Sequence, residues 1–127
     1  MPKTALAALG LKDEAWSRAT TGKNLNDGLA LGEGYFGYVA GVLGHTVEAR
    51  SVIGELLARR QRDYSPALPI AWTYLGLSET ASALEWLETA LAEREPYLGS
   101  AMVFPAYNAI REQARFRRLA QQLKLST

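Results

Sequence analysis

Leu43-Gly44-His45-Thr46-Val47-Glu48-Ala49-Arg50-Ser51-Val52-Ile53-Gly54-Glu55-Leu56 is answered 34 residues later by Leu77-Ser78-Glu79-Thr80-Ala81-Ser82-Ala83-Leu84-Glu85-Trp86-Leu87-Glu88-Thr89-Ala90. The same step puts Leu9-Gly10 ahead of Leu43-Gly44, and Ala15 ahead of Ala49 and Ala83. A fixed step of this length over most of a short chain means one two-helix unit, copied and stacked. Within the stretch, Ala49, Ile53 and Leu56 match Ala83, Leu87 and Ala90, a spacing that keeps to one helix face. Where two helices cross closely, the contact residue must be small or the axes are pushed apart. That is the physical reason for the repeated alanine.

The second copy (about 30–63) predicts helix A over about 30–43 and helix B over about 46–60. The third copy (about 64–97) predicts helix A from Pro66 to Leu77 and helix B from Glu79 to Arg94. Ser65-Pro66 reads as a helix start, with serine as cap and proline tolerated in the first turn. Pro69 removes one more backbone donor but still lies near that start. The first copy (about 1–29) is truncated, with Thr4–Leu9 left for its helix A. Pro105 would break a further helix A, so residues 98–127 read as a degenerate repeat that caps the stack.

These residues resemble the tetratricopeptide repeat, a helix-turn-helix unit with small residues at the crossing and a turn glycine. Gly37, Gly44, Ala49, Ile53 and Leu56 fit one copy; Ala71, Tyr74, Ala83, Leu87 and Ala90, closed by Pro96, fit the next. Ser78 stands where the turn glycine is expected, so that turn should be costlier. The resemblance implies one all-α domain, a right-handed superhelix of antiparallel helix pairs with about two and a half repeats and a C-terminal cap. The tail, Phe104-Pro105-Ala106-Tyr107-Asn108-Ala109-Ile110-Arg111 and then Arg115-Phe116-Arg117-Arg118-Leu119, resembles an ending found on repeat segments of bacterial regulators, cyclases and kinases. No effector domain accompanies it here, so this second resemblance supports a regulatory or scaffolding role without supplying an activity.

Composition bounds the rest. A chain of 127 residues that is 48% hydrophobic can bury one core and makes one domain. Net charge is +1, which argues against a protein built to grip nucleic acid. There is no cysteine and one histidine, His45, so thiolate metal sites are excluded and no cofactor or metal is expected. Lys12-Asp13-Glu14 follow the first apolar run at once, with no small-residue cleavage site. The longest uncharged stretches are too short to span a bilayer and contain prolines. The expectation is a cytoplasmic protein with no membrane contact.

Gly32-Glu33-Gly34-Tyr35-Phe36-Gly37-Tyr38-Val39 matches the glycine loop of kinases and the dinucleotide fingerprint. Both require a strand before the loop, and a kinase a lysine on the strand after it; no lysine occurs between Lys23 and Lys124. Packing accounts for the glycines better. Gly34, Gly37, Gly41 and Gly44 share one helix face. Each interior glycine costs about 1 kcal/mol of helix propensity, so the stripe needs close approach of a neighbour, a neighbouring helix of the chain itself ahead of a bound partner.

In tetratricopeptide stacks the A helices line the concave groove. The resemblance therefore places Tyr38 and Trp72 in that groove, Leu68 and Leu75 beside Trp72, and Gly34 and Gly41 beside Tyr38. An apolar, aromatic groove suits an amphipathic helix or hydrophobic peptide rather than an acidic tail. The alternative is that the chain's own terminal segment covers it. Charge is also sorted: residues 79–95 are acidic and 111–124 basic, which predicts docking of the tail on an acidic helix, within the chain or on a second copy. No nucleophile is placed beside His45 and Glu48, and no catalytic residues are assigned. The reading is a protein- or peptide-binding adaptor, not an enzyme, with a self-associating homodimeric module as runner-up and a small-ligand binder less favoured.

Overall fold

The computed structural model describes residues 13–21, 30–62, 65–95, 98, 107–108 and 110–126. Among these, every regular element is helical: α1 over residues 13–21, α2 Ala30–Val42, α3 Thr46–Arg62, α4 Leu68–Gly76, α5 Thr80–Ala92 and α6 Ala114–Ser126. Thr4–Leu9 and Leu9-Gly10 lie outside the described residues.

The 34-residue step corresponds to one recurring helix ending. Gly44 and Ser78 are both left-handed, with φ of +88° and +61°. After α2, the Gly44 amide bonds Gly41 O and the His45 amide bonds Ala40 O; after α4, the Ser78 amide bonds Leu75 O and the Glu79 amide bonds Tyr74 O. This Schellman pattern satisfies the carbonyls that a helix end leaves open. Arg94, φ +54°, repeats it after α5, through Leu91 O and Ala90 O. The next helix then starts at once, because the carbonyls of His45 and Glu79 accept from Ala49 and Ala83. Ala49 and Ala83 are fully buried. Ala15 is not: it is exposed, and α1 rests on Trp16 and buried Ala19 instead. The bulky Trp16 ring stacks on His45, centroids 3.8 Å apart, and lies 5.2 Å from Phe36, which turns the alanine face away.

The glycine stripe of α2 packs on α4. A Cβ on Gly34 would overlap Pro69, one on Gly37 would overlap Thr73, and one on Gly41 would come within 2.5 Å of the Gly76 carbonyl carbon. Gly76 reciprocates, its missing Cβ leaving room for the Tyr38 backbone. These pairs ascend together, so α2 and α4 run parallel with their backbones in contact. The kinase-like motif therefore lies inside a helix. Its Glu33 is buried and accepts from Arg59 Nη2 at 2.9 Å, tying the start of α2 to the end of α3.

The start of α4 departs from expectation. The helix begins at Leu68, and Ser65 does not cap it; the Ser65 hydroxyl is buried without a partner. Glu95 caps α4 from the far end of α5, accepting from the amides of Ala67 at 2.6 Å and Leu68 at 3.1 Å. Pro69 has no amide to satisfy, and Ile70 bonds back to Ala67 O. The donors of the first turn are thus all accounted for. Arg60 braces the same corner, donating to Ser65 O at 2.7 Å and to both Glu93 oxygens, with its guanidinium 5.3 Å over the Trp86 ring.

Candidate interaction surface

The groove positions expected from the repeat resolve into two regions with different fates. At Trp72 the groove is occupied by the chain's own C-terminal segment. Leu68 and Leu75 join one buried cluster with Leu98, Tyr107, Ile110, Phe116 and Leu119. Trp72 packs against it half-buried, and its indole Nε1 donates to the Tyr107 hydroxyl at 2.9 Å. Burial pushes the Tyr107 hydroxyl up to about 12, the Trp72 bond pulling in the opposite direction. The expectation of an open groove around Trp72, Leu68 and Leu75 is therefore corrected. A stack this short buries its apolar inner face under its own tail, because large exposed apolar patches are disfavoured.

Gly34 and Gly41 are corrected as well. They are contacts with α4, not a floor beneath a partner, since the close α2–α4 approach uses up their bare backbone. Of the six residues read as binding positions, Tyr38, Gly41 and Leu75 line an open cleft at the C-terminal ends of α2 and α4, whereas Trp72 is turned toward Tyr107. Tyr38 is half-buried, and burial together with the neighbouring Tyr35 raises its hydroxyl pKa.

Among the described residues, the outer edge of α2 carries exposed apolar side chains. Tyr35 and Val42 are 50% and 56% exposed, and both are large and apolar. Their placement follows from the repeat. The α4 residues that touch α2 are Pro69, Thr73 and Gly76, and the 34-residue step carries these onto Tyr35, Val39 and Val42. The edge of α2 is thus the face on which a preceding A helix would lie. Beside it, between the C-terminal ends of α2 and α4, is a cleft of about 440 Å³ lined by Tyr38, Gly41, Val42, Thr46, Arg50, Leu75, Gly76, Leu77 and Ser78. Arg50 is held at its rim by Glu79, with bonds of 2.7 and 2.9 Å. The Arg50 hydrogen bonds lower the Glu79 pKa.

The sorted charges meet within one chain. Arg115 of α6 holds Glu88 of α5 at 2.7 and 3.3 Å, while Glu79 and Glu93 are taken by Arg50 and Arg60 of α3. The intrachain form of the expected docking is the one present. Sequence reasoning missed Glu95 as a cap and Tyr107 as the groove's occupant. The aromatic residue in the tail was the available signal for the second; nothing in the spacing signalled the first.

Among the described residues, no group of three His, Asp or Glu side chains gathers to hold a metal ion, and no helix is long and apolar enough to cross a membrane. No protein-family model, curated protein or solved structure matches the chain.

Proposed function

We propose that the chain is a non-catalytic interaction module, a short tetratricopeptide-like superhelix whose α2 edge takes an additional helix from a protein partner. The observation that carries this reading is the exposure of Tyr35 and Val42 at the positions where, one repeat on, α4 makes its closest contacts. A partner helix laid there would bury an apolar stripe at i, i+4 and i+7 (Tyr35, Val39, Val42), the usual anchor pattern for a helix in a groove. The internal α2–α4 contact supplies the rule for the partner: an amphipathic helix presenting small residues, since backbones in this stack approach closely.

Self-association through the same edge is the second reading, favoured by one observation. The outer face of α6, at the other end, is polar, with Arg117, Arg118, Gln121, Gln122 and Lys124 exposed or half-buried. A second copy would therefore meet edge to edge, about a two-fold axis.

The test is sedimentation of wild type and Val42→Asp across a dilution series, then affinity capture with both and reconstitution with the purified captured protein. Binding by wild type and by Trp72→Phe, lost in Val42→Asp at unchanged melting temperature, is the expected result. Equal binding by wild type and Val42→Asp would overturn the assignment of the edge. A wild-type dimer that Val42→Asp converts to monomer selects the second reading.

A further inference from the structure

The 34-residue step holds for contacts as well as for residues. Arg50 of α3 pairs with Glu79, which precedes α5. Moved back by 34 positions, that pair becomes Trp16 of α1 and His45, which precedes α3, and these two rings stack at 3.8 Å. So α1 stands to α3 as α3 stands to α5, in the place of the second helix of a preceding pair. Arg60 and Glu93 join α3 to α5 again, farther along both, so these helices run parallel, as α2 and α4 do. The first helix of the preceding pair would lie on Tyr35, Val39 and Val42, the positions that become Pro69, Thr73 and Gly76 one step on. Trp16 and Val39 pack against the same buried cluster as Phe36, so α1 borders one side of this strip and makes it a slot. At the other end of the stack the matching place beside α4 is filled. Tyr107, 34 positions after Thr73, accepts from Trp72 and joins the cluster of Leu68 and Leu75. Among the described residues the strip on α2 has no such cover, and Tyr35 and Val42 stay 50% and 56% exposed.

The contact between α2 and α4 is a template for what the slot accepts. There α2 meets Pro69, Thr73 and Gly76 with Gly34, Gly37 and Gly41, small residues at i, i+3 and i+7 of a helix parallel to α4. In the slot α2 takes the part of α4. Tyr35 and Val42 are bulkier than the Pro69 and Gly76 they replace, and Val39 is close to Thr73 in shape. An occupant at helix-packing distance must make room for them, with glycine or alanine at the three facing positions. Large residues there would push the axes apart and lose the burial that the contact provides. Direction follows from the same step, because α2 and α4 are parallel. The occupant's first facing residue lies at Tyr35 and its last at Val42. Charge adds nothing to the strip, since α2 carries one charged residue, Glu33, which is buried and held by Arg59.

We propose that the slot between α1 and the α2 edge takes a partner helix that runs parallel to α2 and presents glycine or alanine at i, i+3 and i+7. This rests on the α2 edge being the interaction surface, and it adds the direction and the facing residues of the partner. The probe is a stapled, lysine-flanked peptide with the Ala30–Val42 sequence, which carries this glycine pattern. It is titrated into the isotope-labelled full chain, with a nitroxide at the peptide's first or last residue. Saturable shifts around residues 35–46 are expected. The nitroxide at the first residue should broaden amides near Tyr35, and the one at the last residue amides near Val42. Gly37→Leu in the peptide should weaken binding roughly tenfold or more, Val42→Asp in the chain should abolish it, and Trp72→Phe should leave it unchanged. Reversed broadening, or a leucine peptide that binds as tightly as its parent, overturns the proposal. So does an absence of saturable binding, including the case in which Val42→Cys is shielded from maleimide in the folded chain because the chain's own start fills the slot. If the peptide fails while Val42→Asp still abolishes capture of a natural partner, the edge stands and this inference falls. If Val42→Asp spares that capture, both fall.

Discussion

Ser78 holds a left-handed conformation, φ +61°, at the position Gly44 occupies one repeat earlier with φ +88°. A side chain in that region costs on the order of 1 kcal/mol, which glycine avoids at some expense in unfolded-state entropy. Ser78→Gly should therefore stabilise the fold by about 0.5–1 kcal/mol, and Gly44→Ala should destabilise it by about 1 kcal/mol, both read from denaturant midpoints at constant slope. The stripe glycines behave differently, because their constraint is space. Gly37→Ala gains about 1 kcal/mol of helix propensity but drives a methyl into Thr73, an overpacking cost of about 1–3 kcal/mol. A net loss of stability is the expected outcome, and a gain would show that α2 and α4 sit farther apart. The glycine stripe was legible in the sequence because glycine at helical spacing has few other causes. Its partner was legible only as some neighbouring helix; that it is α4, and which α4 residues face the stripe, depends on how the helices are placed and rotated.

At the level of elements, α4 is held at its start and along one face by residues outside it: Glu95 caps the start and Tyr107 accepts from Trp72 on the face. Removing the cap in Glu95→Ala strands two buried amides and should cost about 2–4 kcal/mol. The pH dependence has two signs. Hydrogen bonding to Arg50, Arg115 and Arg60 holds Glu79, Glu88 and Glu93 below their ordinary value of 4.5. What these groups contribute is present above that value and fades as pH falls through their folded pKa values. Burial raises Glu95 above 4.5, against the pull of the two amides. Its contribution is full below 4.5 and is lost as pH rises through its folded pKa. Glu95→Gln should therefore make stability climb more steeply from pH 4.5 toward neutrality than in wild type, by chemical denaturation across that range. The helix pairs over residues 30–92 could be read from the repeat because each depends on contacts within about one step. The Glu95 cap could not, because a carboxylate reaching across 28 positions leaves no periodic trace. Ala15 matched the step by spacing alone, and the Trp16–His45 stack decided its orientation instead.

For the whole molecule, the C-terminal segment packs over α4 at Trp72, and among the described residues the outer edge of α2 is exposed. Fold class was legible at this scale, since the recurring step and the apolar faces point to one all-helical core. The groove residues were not, because whether an inner face is open depends on where residues after the last repeat fold back. Closure by the tail carries a prediction of its own: Tyr107→Phe removes the acceptor for Trp72 Nε1 and should lower stability by about 1 kcal/mol, without affecting binding at the α2 edge. Thiol reactivity separates the covered face of α4 from the exposed edge of α2, since the chain has no cysteine of its own. Single variants Tyr35→Cys, Val42→Cys, Leu68→Cys and Leu75→Cys would be reacted with a maleimide under native conditions. Cys at 35 and 42 should react as a free thiol, whereas Cys at 68 and 75 should be protected until the protein unfolds. Reaction at 68 or 75 as fast as at 42, in a variant that melts like wild type, would contradict it.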